Sequence, residues 1–575
     1  LKLEVVRRAA PDGPAQFDAG IHPVLQRVYA ARGVRSSSEL LLSMQRLLPV
    51  GTLGGVQAAA QLLAGHRRRG GLVLVIGDFD ADGATSTALL LRALRAYGFP
   101  ATDFLVPNRF EFGYGLTPEI VQLAARRAPA LIVTVDNGIA SNAGVTAARA
   151  LGIDVLITDH HLPGAQLPDA NVIVNPNVRG SDFGSRALAG VGVAFYVVAA
   201  LRRHLIDTGA LTEQAPSAAQ WLDLVALGTV ADVVPLDVNN RILVAQGLSR
   251  IRAGRCVPGI ESLLELARRA RADLAATDLG FGVAPRLNAA GRLTDMSVGI
   301  RCLLSDDAQE ARTLALELDR LNGERREIEA RMQAEARAAV RVLRDPGSGV
   351  VRAGVCLYDP GWHQGVVGLV ASRLKERLRR PVIAFARVDE VTLRGSARSV
   401  PGVHIRDVLD AVATGYPSMI EKFGGHAMAA GITLQLAQLD GFARAFDAEV
   451  TQWLARAGSP DTIETDGELS PAERCLDTAA ALRQGGPWGP GFPEPLFDGV
   501  FRVDSARLVG ERHLKLALAA PEGRGYFDAI AFNWVDDDEP AALPSGEARL
   551  IYRLDANEYL GERRLQFVVE HLLAC

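Results

Sequence analysis

The chain reads as an α/β protein. A doubly wound parallel sheet comes first, a second α/β body follows a long connecting helix, and a small antiparallel β-barrel comes last. Three observations predict this order. Short, continuous, β-branched apolar runs alternate with Ala/Leu-rich helical stretches in the first half, as in strands buried on both faces of a parallel sheet. Carboxylates and histidines stand at the ends of those runs, where an open α/β sheet gathers its ligands. Beyond a Gly/Pro-rich stretch from Gly485 to Pro495, five short alternating runs come in close succession, the spacing of a small barrel.

Residues 1–50 are punctuated by Pro and Arg and read as an N-terminal extension packing on the first α/β domain. The opening stretch, Leu1 to Arg8, mixes apolar and charged residues without an apolar signal core, which points away from secretion and toward the cytoplasm. Residues 51–300 hold the parallel sheet, with strands expected at 72–76, 131–135, 155–157 and 172–174 and crossover helices at 85–97 and 140–151. A connecting helix is expected over 301–346. Asp306 and Asp307 lie in its first turn, Asn322-Gly323 is a candidate break, and Asp345-Pro346-Gly347 is its stop. Its Glu/Arg-rich composition suits a solvated spacer. A second α/β unit spans 347–455, and the barrel spans 460–575 with strands near 500–508, 514–518, 529–532, 549–554 and 565–569.

Bulk properties exclude several classes. A chain of 575 residues exceeds one core. At 48% apolar and 22% charged it has no hydrophobic run long enough to span a bilayer, so no membrane partner is expected. The five cysteines form no CxxC pair and read as thiols rather than a disulfide frame or zinc site. A net charge of −4 excludes a wholly basic coat but not a local cationic channel.

The chemistry is carried by Gly77-Asp78-Phe79-Asp80-Ala81-Asp82-Gly83, Val135-Asp136-Asn137-Gly138, Asp159-His160-His161 and Thr229-Val230-Ala231-Asp232. Alternating aspartates at a strand end repel one another unless cations neutralise them, and oxygen donors suit hard divalent ions. Added imidazole moves the preference from calcium toward manganese or magnesium. The bland reading of one such aspartate is a helix cap. Four such stretches at equivalent strand ends point instead to metal-assisted phosphodiester hydrolysis. A second constellation is cationic. Arg109 follows an apolar run, Arg286 and Arg292 flank Asn288 in what reads as a Gly/Ala-rich loop, and Ser396 and Arg398 lie in a second apparent loop. Guanidinium groups suit bidentate phosphate contact; structural ion pairs are the competing reading. His363 and His426 lie in Gly-rich loops of the second body. In the barrel, Arg502, Arg507, Arg512, Lys515, Arg563 and Arg564 accompany Phe501, Tyr526, Phe532, Trp534, Tyr552, Tyr559 and Phe567, the mixture that single-strand stacking requires.

These phrases together resemble the DHH phosphoesterase family. The surrounding ones narrow the likeness to its single-strand-specific exonuclease branch: Leu188-Ala189-Gly190-Val191-Gly192-Val193, Pro285-Arg286-Leu287-Asn288-Ala289-Ala290-Gly291-Arg292, Trp362-His363-Gln364-Gly365 and Gly424-Gly425-His426-Ala427-Met428. The resemblance runs from about residue 25 to 570. It implies a DHH catalytic domain, a connecting helix, a DHH-associated domain and an oligonucleotide-binding (OB) barrel. It also implies 5′ to 3′ degradation of single-stranded DNA to nucleotides in recombination and repair, with two divalent cations, Mn2+ or Mg2+. Family ligands carry over to Asp80, Asp82, Asp136, His160 and Asp232, with Asp136 bridging. Asp78 and Asp159 are implied as orienting groups and His161 as a donor to the phosphate. Arg109, Arg286, Asn288, Arg292, Ser396, Arg398 and His426 are expected to bind substrate, a subset of them holding a terminal 5′-phosphate. Single-strand binding protein and a helicase are the expected partners of a monomer. The alternative is a DHH phosphoesterase acting on short oligonucleotides or other small phosphoesters.

Overall fold

The computed structural model describes residues 4–10, 13, 15–107, 115–342, 352–457, 462–510, 512–520, 523, 525–534, 543–559 and 562–574. It divides into two compact units: residues 5–288, 296–316 and 464–575 form one, and 289–295 with 317–463 form the core of the other.

The larger unit opens with β1 (Glu4–Arg7) and α1 (Pro23–Ala31), and α2 (Val56–Arg69) leads into the sheet. Its strands are β2 (Leu72–Gly77), β3 (Ala101–Leu105), β4 (Pro129–Val135), β5 (Asp154–Thr158) and β6 (Val172–Val174), all parallel, in the order β3-β2-β4-β5-β6. Between them run α3 (Ala81–Ala96), α4 (Pro118–Ala125) and α5 (Asn142–Ala150). Val73 to Ile76 and Leu131 to Val133 are fully buried, as continuous apolar runs demand when both sheet faces are covered. α6 (Gly190–Asp207), α7 (Leu222–Ala231), α8 (Val238–Arg252), α9 (Pro258–Leu266) and the short α10 (Ala276–Asp278) complete the wrapping. A π-helical turn, Leu279–Val283, then feeds α11 (Ala284–Leu293), followed by α12 (Ser297–Leu304).

α13 (Ala308–Val342) is one uninterrupted helix of 35 residues. It starts after Ser305, where Asp307 accepts from Glu310 N–H, and it does not break at Asn322-Gly323. Nor is it a bare spacer, because Met332, Ala336 and Val340 are buried in the core of the smaller unit. That unit carries β7 (Val355–Tyr358), α14 (Val367–Leu378), β8 (Val382–Arg387), β9 (Thr392–Arg398), α15 (Ile405–Gly415), β10 (Lys422–Gly425), β11 (Ala429–Gln435) and α16 (Leu439–Ala457). Its sheet order is β10-β11-β9-β8-β7.

After β12 (Thr462–Thr465), which pairs with β1, and α17 (Leu476–Gln484), a closed barrel forms. Its strands are β13 (Phe497–Val509), β14 (His513–Ala519), β15 (Tyr526–Ala531), β16 (Gly546–Tyr559) and β17 (Glu562–Ala574), in the order β13-β14-β15-β17-β16. β15 and β17 are parallel and every other pair is antiparallel, the expected OB arrangement. Phe501, Tyr552 and Phe567 fill the interior, while Tyr526 and Phe532 are exposed. The side chain of Tyr559 lies outside the described residues.

The N-terminal segment is stitched to the approach of the barrel. Arg32 donates to both oxygens of Asp466 at 2.6 and 3.0 Å, with both side chains almost wholly buried. Tyr29 stacks on Trp488 and Phe492, and Arg7 and Arg549 both pair with Asp498. Among the described residues, no single helix is long and apolar enough to cross a membrane, and Cys256, Cys302, Cys356 and Cys475 are free thiols.

A candidate metal centre at the carboxyl ends of the parallel strands

Three strand ends and one helix end build the centre. β2 delivers Asp78 and Asp80, β4 delivers Asp136, β5 delivers Asp159 and His160, and Asp232 caps α7. Asp80 is the N-cap of α3, its carboxylate accepting from Asp82 and Gly83 N–H, so the helix dipole stabilises its charge. Asp82 accepts from Gly190 and Val191 N–H at 2.6 and 2.9 Å, at the N-terminus of α6. Asp136 adopts a left-handed φ of 61°, which turns the chain sharply as it leaves the strand. Asn137 fixes that turn by donating to the carbonyls of Ile76 and Val135.

The decisive geometry surrounds His160. Its Nε2 lies 3.1 Å from Asp136 Oδ1 and 3.4 Å from Asp232 Oδ2. Asp232 Oδ2 is buried and makes no hydrogen bond among the described residues. Two carboxylate oxygens and an imidazole nitrogen converging this way fit a divalent cation with mixed oxygen and nitrogen donors. Three overlapping groups could hold an ion: Asp82, His160 and Asp232; Asp136, His160 and His161; and Asp78, Asp80 and Asp136. The shared members allow adjacent cations.

Electrostatics agree. Burial, then the Asp80 charge, pushes Asp82 up to about 7. Burial and the surrounding aspartates hold Asp136 and Asp232 well above the ordinary carboxylate range. Such groups lack the positive charge that would let them ionise together. Asp159 behaves differently. Burial raises it, but the His161 hydrogen bond and charge outweigh that, and its carboxyl is held below the usual value. It accepts from Ile139, His160 and His161 N–H and pairs with His161 Nδ1 at 2.7 Å. Burial alone lowers the basicity of His161; the Asp159 bond and the charges of Asp78 and Asp80 reverse this, raising it to about 9. The Asp159 carboxylate thus holds the His161 ring in place and favours a proton on its Nδ1.

Two glycines make room. A Cβ on Gly190 would lie 2.6 Å from Asp136 Cβ, and one on Gly228 would lie 2.2 Å from Thr85 Oγ1 and 2.9 Å from Asp82 Oδ1. Sequence reasoning did not single out these glycines or Asn137 for the centre. The phrase around Gly190 was the available signal, since paired small residues at a helix start mark close backbone approach.

The substrate-binding set is distributed differently. Arg109 lies outside the described residues. Arg286 and Asn288 sit on helix α11, not in a loop, because the π-helical turn feeds straight into it. Arg286 donates to the carbonyls of Gly282 and Leu266, and Asn288 Oδ1 accepts from Ala81 N–H at 2.8 Å. Both brace backbone. In the smaller unit, Ser396 and Arg398 lie on strand β9, again not in a loop. Arg398 donates to Ser396 Oγ at 2.9 Å and Ser372 Oγ at 3.1 Å. A Cβ on Gly368 would lie 3.0 Å from both Arg398 Nη2 and Ser396 Oγ. Also in that unit, Arg292 donates to the carbonyl of Gly365 at 3.2 Å, and His363 Nδ1 accepts from Gly365 N–H. His426 is exposed in the β10–β11 hairpin.

Family models match this architecture: the DHH family N-terminal domain over residues 72–229, the DHHA1 domain over 348–452 and the RecJ OB domain over 465–571. Fold and site thus define a DHH-type phosphoesterase. The chain is 52% identical over 575 residues to the single-stranded-DNA-specific exonuclease RecJ of Salmonella typhimurium, covering 99% of this chain and 98% of that protein. It is 53% identical over 575 residues to RecJ of Escherichia coli, with the same shares. Among solved structures it is similar to RecJ in complex with Mn2+ from Thermus thermophilus, with a TM-score of 0.77 and 31% identity over 96% of this chain and 76% of that one. The Mg2+ complex of the same protein gives a TM-score of 0.71 and 30% identity over 96% and 75%. The chain belongs to the RecJ family of single-stranded-DNA-specific exonucleases.

Proposed function

We propose that this protein degrades single-stranded DNA from the 5′ end, releasing nucleotides, by divalent-cation-assisted hydrolysis of the terminal phosphodiester. Exonuclease activity on single strands follows from membership of the RecJ family, and Mn2+ or Mg2+ is the cofactor. The observation that carries the reading is the convergence of Asp136 and Asp232 oxygens on His160 Nε2. Asp80, Asp82, Asp136, His160 and Asp232 hold the cations, with Asp136 placed to serve two of the overlapping groups. Cations bound there supply a water made nucleophilic at neutral pH and neutralise charge developing on the phosphate. Asp159 fixes the orientation of His161 through its Nδ1, and His161 donates a hydrogen bond or proton to a phosphate oxygen. Asp78, on the same strand end, orients the Asp80 side of the cluster.

The cluster of Arg398, Ser396 and Ser372, with Gly368 leaving its approach open, is the candidate 5′-phosphate seat. Arg292, His426 and Arg109 are further members of the substrate set. Arg286 and Asn288 act through the backbone they brace. The OB barrel favours a long strand over a small phosphoester, because a dinucleotide needs no such track. The protein is proposed to act in the cytoplasm in recombination and repair, as a monomer working with a helicase and single-strand binding protein.

Digestion of strands labelled at the 5′ or 3′ end, with Mn2+ or chelator, tests the reading. Early release of the 5′ label, abolished by chelator, is expected; early loss of the 3′ label overturns the polarity. Arg398→Ala should erase any preference for a 5′-phosphate over a 5′-hydroxyl, and an unchanged preference removes that assignment.

A further inference from the structure

Phe281 is the most exposed large apolar side chain among the described residues, at 77%. Its position is unusual in three respects. It lies in the π-helical turn Leu279–Val283, the one such turn among the described residues, and π-turns inside helical segments recur at functional sites. It stands between Gly280 and Gly282, so neither chain neighbour has a side chain to shield the ring. And the turn is attached to the metal centre at both ends. On one side, a Cβ at Gly280 would lie 3.3 Å from Val230 Cγ1, two residues before Asp232. On the other, the helix that the turn feeds carries Asn288, whose Oδ1 accepts from Ala81 N–H between Asp80 and Asp82. The rest of the turn is sunk into the fold, with Leu279 and Val283 wholly buried. Phe281 therefore points outward from a fixed base. A cation stands beside it: a Cβ at Gly282 would lie 3.4 Å from Arg269 Cγ, and the Arg269 guanidinium, which is half-exposed, also pairs with Asp278 at 3.5 Å.

We propose that Phe281 is a stacking platform for a nucleobase of the single-stranded substrate, positioning the strand as it enters the metal centre. The proposal rests on the exonuclease reading above and deepens it. An exposed phenyl ring gains little in water, yet a base laid on its face removes apolar area from solvent on both partners. Such stacking is tolerant of sequence, because every base has a π-face. The Arg269 guanidinium adds a backbone contact that reads no base. A duplex keeps its bases stacked internally and cannot offer one to Phe281, so the platform adds to single-strand selectivity.

The test compares wild type, Phe281→Ala, Phe281→Leu and Phe281→Trp on two substrates of equal length, an ordinary single strand and one made of abasic nucleotides. Stacking of one base predicts a loss in kcat/KM of about tenfold for Phe281→Ala on the ordinary strand. The loss should be recovered by Phe281→Trp and not by Phe281→Leu, and should vanish on the abasic strand. Thermal midpoints should match wild type, since the side chain is largely in solvent. Equal kcat/KM for Phe281→Ala and wild type on the ordinary strand overturns the proposal. So does rescue by leucine as complete as by tryptophan, which would mark a protein-docking residue, or a loss that persists on the abasic strand. A wild-type protein that degrades neither strand overturns the exonuclease reading itself, a result distinct from any difference among the variants.

Discussion

At the scale of single residues, the centre works because each carboxylate has a different environment. Asp159 is satisfied by three backbone N–H groups and the His161 ring, so it stays ionised and orients. Asp82, Asp136 and Asp232 are buried among like charges and rise above their ordinary values. Without cations, groups raised on folding contribute stability at low pH and lose it as pH climbs through their folded values. Mn2+ removes that loss by binding the ionised forms. Its upward shift of the thermal midpoint should therefore be larger at pH 8 than at pH 6, and an equal or smaller shift at pH 8 would contradict the environment assigned to these aspartates. Gly190 tests the geometry from another side. Gly190→Ala drives a methyl into Asp136, and displacement of a reacting group by an ångström costs about 10²-fold in rate. Full activity in that variant would mean that Asp136 tolerates movement.

At the scale of elements, four of the five parallel strands were readable because burial forces continuous apolar runs, while the edge strand β3, only partly buried and carrying Thr102 and Asp103, was not. The sequence also showed the barrel strands, though shorter than they are. β9 was not legible. Its buried face is Leu393, Gly395 and Ala397, small because a Cβ at Gly395 would lie 2.5 Å from Phe385 Cε1. A strand packed that closely looks like a loop in composition. α11 was missed for a related reason, since Ala289, Ala290 and Gly291 carry no helical stripe of large residues. The clasp between α1 and the approach to the barrel left no local signal at all, its partners lying 434 residues apart. Its strength can be measured. Removing one partner of a buried, bidentate ion pair costs about 3–5 kcal/mol. Asp466→Ala should lower unfolding free energy by that order in urea titrations; a loss below about 1 kcal/mol would place Arg32 in a solvated, replaceable contact.

At the scale of the whole molecule, residues 5–288 and 464–575 fold as parts of one compact unit. Arg7 joins the N-terminal segment to strand β13 of the barrel, and Tyr29 and Arg32 join it to the segment that leads into the barrel. A chain cut after residue 463 would expose Tyr29 and leave Arg32 without its carboxylate. Its first thermal transition should fall by several degrees, and a midpoint within about 2 °C of the intact chain would show the barrel to be an independent appendage. Anomalous diffraction from crystals grown with manganese reads the cation positions themselves. Strong peaks bonded to Asp136, His160 and Asp232 are expected in the wild type, and their loss in Asp136→Asn. A wild-type map with no peak among those side chains would contradict their role as metal ligands.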